Sequence, residues 1–175
     1  MSLFNKWRKK APGAEPGVPV GGPLAEDSSD PGESDAGNIG RNRTILVVDD
    51  DLTVLKAFEM KFEALGFRVL TAVDGSAAMA LVHQETPDLI ILDMIFPPDD
   101  YSYGLQWDGI TIMQWLQRFK QSAGIPIIVI SVESPEKFEA KALAGGALAY
   151  FQKPINVERF LLTIRRTLGN PAKTN

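Results

Sequence analysis

From Thr44 onward, five short apolar runs rich in β-branched residues alternate with stretches of helical period. The runs are TILVVD (44–49), RVLTA (68–72), DLIILD (88–93), IPIIVIS (125–131) and ALAYFQ (147–152). Continuous rather than alternating apolarity marks strands covered on both faces, as in a parallel sheet flanked by helices. Between the first two runs, Leu52, Leu55, Phe58, Phe62 and Leu65 recur at helical spacing, and Gly66 stands where a helix would stop. Val157, Phe160, Leu161, Ile164 and Leu168 repeat the pattern after the last run. The expected fold class is α/β: a (βα)5 three-layer sandwich with one sheet between two layers of helices.

The 175 residues, 45% of them hydrophobic, suit one domain of ordinary size. Residues 11–42 are dominated by Gly, Pro, Ala, Ser, Asp and Glu, which bury too little area to offset the cost of ordering the backbone. The expected organisation is therefore a disordered tail over 1–42, one domain over 43–170 and a short C-terminal tail over 171–175. At the tip of the tail, MSLFNKWRKK sets Leu3, Phe4 and Trp7 among basic residues. A weak membrane-surface or partner anchor is one reading of residues 1–10, and an unstructured basic tip is the simpler one. Acidic and basic residues cancel up to Arg43, so the folded part carries the whole net charge of -4. A nucleic-acid partner calls for the opposite sign and is not expected. The chain has no cysteine, which suits a reducing compartment. It also has no apolar run approaching the ~20 residues of a membrane span, so a cytoplasmic location is expected.

In an open parallel sheet, ligands sit beyond the carboxyl ends of the strands, where the strand order reverses. The first run ends in Asp49 and Asp50, the third in Asp93 and the fourth in Ser131, while Lys153 follows the fifth. Three carboxylates, a hydroxyl and an ammonium are thus expected on one edge. Carboxylates so placed repel one another unless a cation joins them. Hard oxygen ligands with no His or Cys beside them point to Mg²⁺. Lys153 then reads as a point charge and Ser131 as a donor for a phosphoryl group on Asp93.

Taken together, ILVVDDD, LIILDMIFP, PIIVIS and YFQKP resemble the motifs of response-regulator receiver domains of two-component signalling. The resemblance covers residues 44–168. It implies a flavodoxin-like sheet of order 2-1-3-4-5, and a phosphoryl group taken by Asp93 from a histidine kinase or phosphotransfer protein. It implies Mg²⁺ held by Asp50, Asp93 and the backbone carbonyl of Ile95, with Asp49 acting largely through water. Ser131 and Tyr150 would be the switch pair, Ser131 drawn toward the phosphoryl oxygens and Tyr150 turning inward behind it. The domain would catalyse only its own phosphoryl acceptance and slow hydrolysis. Dimerisation on phosphorylation is left open.

The chain departs from that pattern in two places. Ten residues, PDDYSYGLQW (98–107), separate Pro97 from Asp108 where relatives usually have two. Tyr101, Tyr103 and Trp107 suit either a partner surface or a self-packed cover over the third helix, and Asp99 and Asp100 read as solvated charge. Val132 adds a branched side chain where the family commonly has a small residue. Ile95, Val132 and Glu133 occupy positions that tune phosphoryl lifetime in relatives, and an apolar residue at 95 does not orient water, so a long-lived phosphorylated state is expected.

Other residues have plainer readings. His83 suits a surface position, Asp51 a helix cap, Trp115 and Phe119 the core, and Gly145 and Gly146 a helix stop. A haloacid-dehalogenase-like phosphatase needs a second Asp where Ile95 stands, so its general acid is missing. Only GNPAKTN follows the last helix, so output by contact with a downstream protein, without a DNA-binding domain, is expected. The alternative is a phosphorylation-independent pseudo-receiver that scaffolds partners through the inserted loop.

Overall fold

The structure is a computed structural model in which residues 39–96, 108–120 and 122–169 are described. Five strands, β1 (Thr44–Val48), β2 (Arg68–Ala72), β3 (Leu89–Asp93), β4 (Ile127–Ser131) and β5 (Ala149–Gln152), alternate with five helices. The helices are α1 (Leu52–Glu63), α2 (Gly75–Glu85), α3 (Gly109–Arg118), α4 (Pro135–Ala144) and α5 (Val157–Gly169). All strand pairings are parallel and the order is β2-β1-β3-β4-β5, as the resemblance implied. The fold is flavodoxin-like, and the strand order reverses between β1 and β3.

The continuous apolarity of the strands follows from this order. Interior strands β3 and β4 are buried along their whole length, as is β1 from Ile45 to Val48, and successive side chains feed opposite cores. Leu46, Val48, Ile90, Leu92, Ile127 and Val129 meet Ala78, Val82, Ile112, Met113, Leu116 and Ala142 from α2, α3 and α4. Ile45, Val47, Leu89, Ile91, Ile128 and Ile130 meet Leu55, Phe62, Phe160 and Ile164 from α1 and α5. On this second face Phe58, Phe62 and Phe160 form an aromatic cluster, with Phe151 edge-on to Phe160 at 5.1 Å.

Asp51 caps α1 by accepting from the Thr53 N–H at 2.7 Å, Asp74 caps α2 and Asp108 caps α3. Gly66 ends the turn after α1 at φ 84, and Gly146 follows α4 at φ 98. Among the described residues no helix is long and apolar enough to cross a membrane.

Two observations differ from expectation. Trp115 and Phe119 are 40% and 42% exposed, because α3 turns Ile112, Met113 and Leu116 inward. Their rings pack on each other at 6.0 Å on the outer face instead of entering the core. The folded unit also starts ahead of residue 43. Ile39 packs on the α1–α5 core, and Gly40 donates to the Leu65 carbonyl at 3.1 Å, so close to Phe67 that a Cβ would collide with it. The tail before Ile39, including residues 1–10, lies outside the described residues, as do the inserted segment with Asp99, Asp100, Tyr101, Tyr103 and Trp107, and the last residues from 170.

Candidate functional site

The sheet carries its acidic residues to one edge by register. Asp49 follows the last residue of β1, and its N–H still donates to the Ala72 carbonyl of β2 at 3.1 Å. Asp93 closes β3 opposite Ile130, and Ser131 is one step further along β4, opposite Gln152. Asp49, Asp93 and Ser131 are buried and Asp50 is exposed. The ligand oxygens of Asp49, Asp50 and Asp93 lie within 4.8 Å of one another.

Lys153 enters this cluster directly. Its Nζ stands 2.7 Å from Asp49 Oδ2 and 3.5 Å from Asp93 Oδ1, and its side chain is 14% exposed. The Lys153 N–H donates to the Ser131 carbonyl at 2.6 Å, and Lys153–Pro154 is a cis peptide. Asp49 Oδ1 accepts from the Asp51 N–H at 3.0 Å, and Asp93 Oδ1 accepts from the Met94 N–H at 2.9 Å. Burial pushes the Asp93 carboxyl up to about 6, with the Asp49 charge adding to the rise and Lys153 opposing it. The one ammonium thus reaches two of the three carboxylates, Asp49 and Asp93. The donor set is oxygen only, and a hard divalent cation fits it.

The expected switch residues meet at the start of α4. Ser131 Oγ accepts from the Glu133 N–H at 3.2 Å, and the Tyr150 hydroxyl donates to the Glu133 carbonyl at 2.8 Å. Tyr150 is buried and its ring is already inside, and that burial pushes its phenol above the usual tyrosine range. Around the acidic edge, Ile95 is 40% and Val132 63% exposed, while Glu133 is half-buried. The structure therefore brings Asp49, Asp50, Asp93 and Lys153 into one cluster, with Ser131 at its border and Tyr150 behind it. His83 stands apart, exposed on α2. The Tyr150 bond to the Glu133 carbonyl carries no signal in the sequence, because a backbone acceptor leaves no residue type to read.

A family model described as the response regulator receiver domain matches residues 45–165. Over 124 residues the chain is 33% identical to the DNA-binding dual master transcriptional regulator RpaA of Synechocystis sp., covering 71% of this chain and 48% of that protein. The chain thus spans about half the length of that relative. It is 29% identical over 128 residues to the polar-differentiation response regulator DivK of Brucella ovis, covering 73% of this chain and 98% of that one. Among solved structures, the chemotaxis protein CheY4 of Vibrio cholerae aligns with TM-score 0.62 and 28% identity over 71% of this chain and 98% of that chain. The Francisella response regulator 1452 receiver domain aligns with TM-score 0.63 and 26% identity over 73% of this chain and 98% of that chain. The matched residues run from the first strand into the last helix and take in Asp49, Asp50, Asp93, Ser131 and Lys153, and the chain belongs to the response-regulator receiver family.

Proposed function

We propose that this receiver domain is a switch that accepts a phosphoryl group on Asp93 from a phosphohistidine of a histidine kinase or phosphotransfer protein. The observation that carries the reading is the buried Asp93 carboxylate at a strand end, with Asp49, Asp50 and Lys153 converging on it. An Asp93 oxygen attacks phosphorus, the P–N bond breaks, and the imidazole leaves with its electron pair and takes up a proton. Asp49, Asp50, Asp93 and the backbone carbonyl of Ile95 would hold Mg²⁺, which when bound supplies positive charge to the phosphoryl oxygens.

This chain's own residues do the positioning. Lys153, already within 3.5 Å of Asp93, offers its ammonium to a phosphoryl oxygen, and Ser131 offers its hydroxyl to another. Moving the Ser131 hydroxyl weakens its bond with the Glu133 N–H, and Tyr150 holds the carbonyl of the same residue, so the change reaches the start of α4. Ile95, Val132 and Glu133 border the site, and the first two are apolar and exposed, so neither orients an attacking water. Hydrolysis is then slow and the phosphorylated state long-lived. Output is contact with a downstream protein in the cytoplasm, the compartment that a chain without cysteine suits.

Intact mass after treatment with acetyl phosphate and Mg²⁺ tests the reading, beside Asp93→Asn and a metal-free control. An adduct of one phosphoryl group that needs both Asp93 and metal is expected. If neither acetyl phosphate nor a phosphorylated histidine kinase gives an adduct, the switch reading fails.

A further inference from the structure

Helix α4 is held to the sheet by little apolar area. Among its described residues Ala142 alone is buried, with Phe138 half-buried against the same core, so its position depends on what grips its two ends. At the N-terminal end, Glu133 is held through its N–H by Ser131 Oγ and through its carbonyl by the Tyr150 hydroxyl, and the N-cap Ser134 makes no side-chain cap bond.

The C-terminal end is gripped by α3. Gln117 Nε2 donates to the Gly145 carbonyl at 3.0 Å, an acceptor just past the last helical turn. The next residue, Gly146, has φ 98, and a Cβ there would overlap the Gln117 amide. Met113, one turn earlier on the same face of α3, is fully buried beneath Gly145, where a Cβ would stand 3.3 Å from its Cε. Helix α3 in turn begins on the strand that carries Asp93. The Gly109 N–H donates to the Met94 carbonyl at 3.0 Å, and a Cβ on Gly109 would stand 2.8 Å from the Asp93 carbonyl.

We infer that Gln117 is a positioning residue that pins the C-terminal end of α4 to α3, so that a change at Ser131 and Glu133 swings the helix about Gly145 instead of translating it. Helix α3 is then a second connection between the Asp93 backbone and α4. The swing rests on the phosphoryl-accepting reading, whereas the grip on Gly145 does not. The amide, not the bulk, of Gln117 carries the grip, because its Nε2–H is the donor that the Gly145 carbonyl takes up.

Hydrogen exchange read by mass spectrometry on the full chain tests this, comparing wild type with Gln117→Ala and Gln117→Met, each with and without acetyl phosphate and Mg²⁺. Without the phosphodonor, residues 141–148 should exchange about fivefold faster in both variants, the ratio expected for one lost hydrogen bond. Strand β1 should stay protected, which shows that the variants fold. With the phosphodonor, exchange in the wild type should change over 132–139 and not over 141–148, whereas in the variants both ends should change. Phosphoryl acceptance by Asp93 should stay at the wild-type level.

Equal exchange over 141–148 in wild type and Gln117→Ala overturns the grip. Wild-type protection in Gln117→Met overturns the role of the amide, and a change at both ends of α4 in the phosphorylated wild type overturns the swing. A wild type that accepts no phosphoryl group overturns the proposed function, and the comparison without phosphodonor still decides the grip.

Discussion

Asp93 sits where burial opposes its charge, and that has a thermodynamic consequence. Its folded carboxyl titrates near 6, against about 3.9 in an unfolded chain. The unfolded chain therefore gives up its proton first as pH rises, and ionisation favours unfolding. The penalty is absent below about pH 4, grows between the two values and is complete above about 6. Asp93→Asn removes it, so in the absence of metal the variant should be more stable than wild type at pH 7.5 by on the order of 1–2 kcal/mol, after allowance for solvent screening. At pH 4 the gain should vanish. Urea unfolding at the two pH values checks the sign, and an equal gain at both would place its origin elsewhere. The acidic cluster was legible at this scale because charge at the end of an apolar run stands out. Which carboxylate Lys153 meets was not, because convergence on one edge does not say that its ammonium stands closer to Asp49 than to Asp93.

At the scale of elements, the start and stop chemistry divides the same way. Asp51, Asp74 and Asp108 each precede a helix and cap it, and Gly66 ends a turn at φ 84, all as the residue types indicate. Helix α2 instead ends on Thr86, a β-branched residue at φ 44. No sequence rule expects threonine in the left-handed region, and the chain must turn there so that Pro87 and Asp88 can lead into β3. Thr86→Gly should relieve that conformation and, net of glycine's entropy in the unfolded chain, raise stability by about 0.5–1 kcal/mol. Thermal unfolding decides it, and a lower midpoint would show that the threonine is not strained. Trp115 and Phe119 teach the converse. Their spacing beside Leu116 fits a buried face, but α3 covers the sheet with Ile110, Ile112, Met113 and Leu116, which leaves the next positions round the helix outside.

Two predictions belong to the molecule as a whole. The Met94–Gly109 backbone bond closes the neck of the segment carrying residues 98–107, so its ends meet whatever its length. Shortening 98–107 to two residues should therefore leave the fold intact, with a change in stability of no more than about 1 kcal/mol. A loss above about 2 kcal/mol in urea unfolding would instead show that the insertion supports the domain. The oxygen cluster predicts that Mg²⁺ stabilises the folded chain, by about 2.7 kcal/mol when present at 100 times its dissociation constant. Asp50→Asn should lose most of that gain and EDTA should reverse it, and a thermal midpoint that ignores Mg²⁺ would remove the metal from the site.

The sequence by itself determined the five strands, the class of fold and the residues at the strand ends. Buried parallel strands must be continuously apolar, and a carboxylate at the end of such a strand has few other uses. The tertiary structure decided which charges pair, that Tyr150 lies inside against the Glu133 carbonyl, that α4 is gripped through Gly145 and that the aromatic pair of α3 faces outward. Those outcomes depend on register, on backbone acceptors and on how many side chains a helix needs to cover its share of the sheet, none of which a one-dimensional pattern encodes.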